Sequence, residues 1–137
     1  MRHLLALSLL LLPFAGHAAE LRLTLLGHGL QGKTLYVALH ASTAGFPGHD
    51  GKAIRRSVVA SGDTTVLPFA GIPVGEYAVA VYADKNGNGE LDSNFLGIPQ
   101  EPVGMSRDAK GRFGPPKFKD AVFAVGDGTV TQTIHLK

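Results

Sequence analysis

The chain has 137 residues, a formal net charge of +2, 18 glycines and 8 prolines, and neither cysteine nor tryptophan. So small a charge gives no electrostatic footprint for nucleic acid. The missing thiols exclude disulfides, thiol catalysis, zinc ribbons and iron–sulfur chemistry.

Met1-Arg2-His3 is a short positive head, Leu4 to Phe14 an apolar run, and Gly16-His17-Ala18 a small-x-small cleavage site, which is the pattern of a secretory signal. That run of eleven residues falls short of the roughly 20 that span a bilayer. The expectation is a signal peptide over 1–18, a periplasmic or secreted mature protein, and no transmembrane segment after cleavage. Residues 19–137 then form one domain with one core.

Leu21, Leu23 and Leu25 alternate with Arg22 and Thr24, and Leu35, Val37 and Leu39 alternate with Tyr36, Ala38 and His40, the period-two signature of strands. These two are expected to pair as a hairpin. Their connection, Gly27-His28-Gly29-Leu30-Gln31-Gly32, matches a dinucleotide-binding glycine pattern, but a strand follows where that motif requires a helix, so it reads as a turn. A Gly/Ser/Pro-rich loop over 41–52 precedes strands at Arg55–Ala60 and Thr64–Phe69, with Gly62-Asp63 turning between them.

The strongest strand is Glu76–Asp84. Tyr77, Val79 and Val81 share one face and Ala78, Ala80 and Tyr82 the other; two apolar faces predict a central position. Shorter strands are expected over Ala121–Val125 and Thr129–Lys137, around a Gly126-Asp127-Gly128 turn. No stretch of the mature chain carries a capped helical period. The sum is an all-β, antiparallel β-sandwich, immunoglobulin-like or transthyretin-like, of about seven strands with one long loop from Lys85 to Pro116. A loop of that length without structure of its own is usually functional.

The segment Asp84-Lys85-Asn86-Gly87-Asn88-Gly89-Glu90-Leu91-Asp92 opens this loop. Calcium takes about six to eight oxygen ligands, and helix-loop-helix calcium loops supply side chains from their first, third and fifth positions, a turn glycine at the sixth and a carbonyl at the seventh. Asp84, Asn86, Asn88, Gly89 and Glu90 fill those places, and Asp92 stands at the ninth. Leu91 is expected to tie the loop back to the core. The twelfth place, a bidentate glutamate in those loops, is Phe95, so water, Asn94 or Glu101 must complete the shell. Affinity should be modest, about 10⁻⁴ to 10⁻³ M as in extracellular modules. Magnesium, with its stricter octahedral geometry, suits the loop less well. The competing reading is an Asn-Gly turn with no metal.

His28, His40, His49 and His135 show no metal-ligand spacing, and no serine sits in a Gly-x-Ser-x-Gly elbow. No catalytic residue is therefore expected, although a small enzyme with its site in the 85–116 loop remains a competing class. Arg107, Lys110, Arg112, Lys117 and Lys119 gather around Phe113 and Phe118; they read either as a solvated loop or as a grip on anionic lipid, polysaccharide or phosphate. Phe95, Ile98, Arg107, Lys110 and Arg112 are the candidate partner-binding residues, for a protein or another envelope component.

Gly75-Glu76-Tyr77, the acidic loop, Asn94-Phe95-Leu96-Gly97-Ile98-Pro99, and Gly114-Pro115-Pro116-Lys117-Phe118 with Asp120-Ala121 occur in one order. In this combination the chain resembles the domain of unknown function 2141 family over nearly all of its mature length. The resemblance implies an exported bacterial β-sandwich with no assigned activity. Phe69 to Tyr77, with its Pro-x-Gly-x-Tyr corner, also resembles transthyretin-like and collagen-adhesin B-type modules over a shorter stretch, which implies a scaffold or binding module.

Overall fold

The computed structural model describes residues 19–49 and 51–137; the expected signal peptide, 1–18, lies outside the described residues. Among the described residues eight strands form: β1 (Ala19–Leu26), β2 (Thr34–His40), β3 (Ile54–Val59), β4 (Thr64–Ile72), β5 (Gly75–Asp84), β6 (Val103–Met105), β7 (Phe123–Val125) and β8 (Thr129–His135). One helical turn, α1 (Phe118–Ala121), precedes β7. The strands divide into a three-stranded sheet, β4-β1-β8, and a five-stranded sheet ordered β3-β2-β5-β6, with β7 also pairing with β5. A two-sheet sandwich was expected, and it is the architecture found.

The hairpin expected from Leu21–Leu25 and Leu35–Leu39 does not form. β1 pairs with β4 and β8, whereas β2 pairs with β3 and β5. Each sheet must lay its apolar face on the other, and Leu21, Leu23 and Leu25 meet Leu35, Val37 and Leu39 across the interior. The connector is an arch closed by its own plug: Leu30 is fully buried, and a side chain on Gly27 would strike it, its Cβ 2.8 Å from Leu30 Cδ1. The β3–β4 connection crosses beside it. Gly27 N–H donates to Asp63 O, and Gly32 N–H to Ala60 O.

A second departure is the pairing of β1 with β8, which is parallel; the remaining ladders are antiparallel. β8 carries Ile134 inward and threonines outward, with Gln132 half-buried on the inner register and Leu136 buried just past the strand's end, the alternation its sequence predicts. Truncating a buried leucine such as Leu23 to alanine should cost about 2–5 kcal/mol, because the space it leaves does not collapse.

β5 is central, and both of its faces are buried. Tyr77, Val79, Val81 and Ala83 enter the sandwich core. Ala78, Ala80 and Tyr82 are buried on the opposite face by other means. Phe46 meets the ring of His40 edge-on and also the ring of Phe118, and His49 meets Tyr82 edge-on. The loop after β2, together with α1, thus roofs the outer face of the five-stranded sheet.

The 85–116 stretch is not wholly without strands. β6 lies in it, pairing Val103, Gly104 and Met105 with Tyr82, Val81 and Ala80. Beyond β6, Ser106 continues the patching of β5: its buried hydroxyl accepts Val79 N–H at 2.9 Å and donates to Ala121 O at 2.6 Å.

Candidate functional site: the acidic loop and the cleft beside it

β5 delivers Asp84 to its end with the carboxylate already buried, at 5% exposure. One oxygen accepts Gly87 N–H at 2.9 Å and the other accepts Gly89 N–H at 2.8 Å. Both glycines hold positive φ, 78° and 74°, which a side chain would oppose. That is the local reason for Gly at alternate positions here: the chain must coil around one carboxylate.

Asn86 and Asn88 repeat the device. Asn86 Oδ1 accepts Asn88 N–H, and Asn88 Oδ1 accepts Glu90 N–H. These backbone donors fix the amide orientations, which the side chains alone leave ambiguous. Both Nδ2 groups consequently turn to Asp92: Asn86 donates to Oδ2, and Asn88 donates to Oδ1 at 2.8 Å and Oδ2 at 3.0 Å. The structure therefore brings Asn86, Asn88 and Asp92 together, with Asp84 wired to the same turns. The Glu90 side chain is exposed.

Glu101 has another task than completing a ligand shell. It is buried at 7% exposure, and its two oxygens accept Lys85 N–H at 2.9 Å and Asp92 N–H at 3.2 Å, closing the mouth of the loop like a clasp. Asn94 is equally committed, its Oδ1 accepting Leu96 N–H and Ile98 N–H. Leu91, expected as the apolar tie to the core, is 39% exposed. The tie is Tyr82, whose hydroxyl donates to Gly89 O at 2.9 Å. Burial raises the Tyr82 phenol above its ordinary value, and Tyr36, Asp84, Glu101 and Glu90 push it further the same way.

Beside the loop lies an open cleft of about 1690 Å³ on the outer face of the five-stranded sheet, with Ala80 and Tyr82 among its lining. Ile98 lines it, and so do Lys110 and Arg112. Phe95 projects next to it, 94% exposed. Arg107 is set apart from this group, its Nη1 donating to Val122 O at 3.3 Å.

Sequence reasoning missed the pair of Asp108 and His135 at the cleft. Asp108 accepts His135 N–H at 2.9 Å and lies 2.8 Å from His135 Nδ1. Burial pushes the Asp108 carboxyl up, but the hydrogen bonds and charge of His135, helped by Lys137, outweigh it and leave the group below its ordinary value. The two residues are 27 apart in sequence, and no local pattern announces them.

Among the described residues no three His, Asp or Glu side chains form a metal-binding group; the oxygen-bearing side chains of the acidic loop are two aspartates, two asparagines and the exposed Glu90. Nor is any helix of the described residues long and apolar enough to cross a membrane.

Fold and loop together define a two-sheet β-sandwich module carrying one Asx-rich loop at the end of its central strand. The chain belongs to the family described as "uncharacterized protein conserved in bacteria (DUF2141)", whose model matches residues 30–133. No curated protein and no solved structure matches it.

Proposed function

We propose that the protein is an exported, non-catalytic binding module of the bacterial cell envelope whose acidic loop takes calcium as a structural ion. Asp84, Asn86, Asn88, the Glu90 carbonyl and Asp92 would hold it. The observation that carries this reading is the convergence of the Asn86 and Asn88 amides on the Asp92 carboxylate. Two amide N–H₂ groups there supply the positive partial charge that a hard cation would supply more strongly. An amide turned over, giving up the backbone N–H its oxygen accepts, would offer that oxygen at the same place, and a cation between oxygen and carboxylate would have to offset the loss. The donor set is all oxygen, which suits calcium and not zinc.

A second reading rests on the same hydrogen bonds: Asp84, Asn86, Asn88 and Asp92 all have protein partners already, so the loop can stand as a turn without an ion. Thermal unfolding separates the two. Calcium at about ten times its dissociation constant should stabilise by about 1.4 kcal/mol, which raises Tm by about 5 °C in a domain of this size. An unchanged Tm supports the bare turn.

A further inference from the structure

We propose that the two loops flanking the outer-face cleft form a docking surface for an anionic phospholipid bilayer. The proposal names the partner of the binding-module reading above and rests on that reading, but not on calcium.

Three apolar side chains stand out in water: Phe95 at 94% exposure, Phe113 at 103% and Leu96 at 68%. Leu96, Ile98 and Phe113 line the same cleft, so the two loops set large exposed apolar side chains around one depression. Exposed apolar side chains gathered in this way mark a site of interaction.

The Phe95 tip is built to stay exposed. Asn94 Oδ1 receives the N–H groups of Leu96 and Ile98, Asn94 N–H donates to Ile98 O, and Gly97 N–H donates to Asn94 O. This closed turn holds Phe95 and Leu96 at its apex, away from the sandwich. A floppy loop would fold such residues back onto the protein; a hydrogen-bonded one spends polar groups on keeping them out.

Charge decides what covers the surface. Lys110, Arg112 and Lys137 line the cleft with Phe113, and Lys117 and Lys119 are exposed just beyond. The cleft's two carboxylates are Glu90 and Asp108, the second held in hydrogen bonds by His135. Protein interfaces are depleted in lysine, whereas aromatic and aliphatic tips ringed by Lys and Arg fit acyl chains below and phosphates above.

The test is flotation of the protein with vesicles of phosphatidylglycerol and phosphatidylethanolamine, or of phosphatidylcholine alone, each in chelator and in calcium. Partition into the anionic vesicles is expected, weakened about tenfold by Phe95→Ser or Phe113→Ser and about fivefold by Lys110→Gln or Arg112→Gln. Both phenylalanines are exposed, so a Phe95→Ser/Phe113→Ser protein should keep its Tm. The proposal is overturned if anionic vesicles do not capture the protein, if the double phenylalanine variant floats as well as the parent, or if phosphatidylcholine captures it equally. A calcium titration of the same sample keeps the two readings apart. A calcium heat without flotation removes only the lipid surface, and flotation in chelator without a calcium heat removes only the ion.

Discussion

Tyr82 donates its hydroxyl to the carbonyl of Gly89 at 2.9 Å, so the end of the central strand grips the far side of the acidic loop. Around this bond the loop is organised by single side chains that each take two backbone N–H groups: Asp84 those of Gly87 and Gly89, Glu101 those of Lys85 and Asp92, and Asn94 those of Leu96 and Ile98. Tyr82→Phe removes only the hydroxyl and keeps the ring, which stacks on Tyr36 at 5.2 Å. It should cost about 1 kcal/mol, read as a lower denaturant midpoint at unchanged m-value.

Glu101→Gln is a sharper cut at the same loop. A carboxamide keeps one acceptor oxygen and turns an N–H₂ group toward the other backbone donor, so either Lys85 N–H or Asp92 N–H loses its partner. A buried donor left unpaired costs about 1–3 kcal/mol. Amide hydrogen exchange at Lys85 and Asp92 should quicken while that of β1 and β2 stays slow; uniform quickening across the domain would mean that Glu101 supports the whole fold and not the loop.

Gly104 is required by a close approach. A Cβ there would lie 2.7 Å from His135 O and 2.8 Å from Ile134 Cγ2, where β6 and the chain end beyond β8 exchange hydrogen bonds between Val103 and Lys137. Backbone cannot yield as a flexible side chain does. Gly104→Ala should destabilise by about 1–3 kcal/mol, whereas Gly126→Ala, with nothing within 4 Å, should leave thermal unfolding nearly unchanged.

Strand positions were legible because alternation survives wherever one face is wet, as in Leu21-Arg22-Leu23 or Thr133-Ile134-His135. Partnership was not legible: Leu35, Val37 and Leu39 face inward equally well beside β1 or opposite it, and only the buried Leu30 in the connector distinguishes an arch from a hairpin. β6 was hidden by its three-residue length and its glycine, which the approach of His135 imposes from elsewhere in the chain. In the acidic loop, spacing led to the expectation of Asp84, Asn86 and Asn88 around one centre; the Asn86 and Asn88 amides meet on Asp92 instead, and both Asp84 oxygens are taken by Gly87 and Gly89 N–H. The clasp by Glu101 was not legible, because an isolated glutamate nine residues further on carries no local signal.

Acid should weaken the fold in two stages. Burial lowers His49 below its ordinary value of 6.5, the charge of His40 adding to this and the carbonyl of Tyr36 opposing it. The unfolded chain therefore takes up this proton first. The contribution of His49 is complete above about pH 6.5 and is lost as pH falls through that value toward the lower folded one. Asp108, held below 3.8 chiefly by His135 against its own burial, contributes above that value and loses its share as pH falls through the folded one. His49→Gln should flatten the first stage of a Tm-versus-pH curve, and Asp108→Asn the second; a curve for His49→Gln that still falls between pH 7 and 5 as the parent's does would assign the first stage to another group.

The ion is tested most directly by calorimetric titration of calcium into the chelator-treated protein and its Asp92→Asn variant. Calcium held by the acidic loop predicts a single saturable site with a Kd of about 10⁻⁴ to 10⁻³ M, weakened about tenfold or more when the Asp92 carboxylate is neutralised. No saturable heat in the parent protein, or the same isotherm in Asp92→Asn, would contradict it.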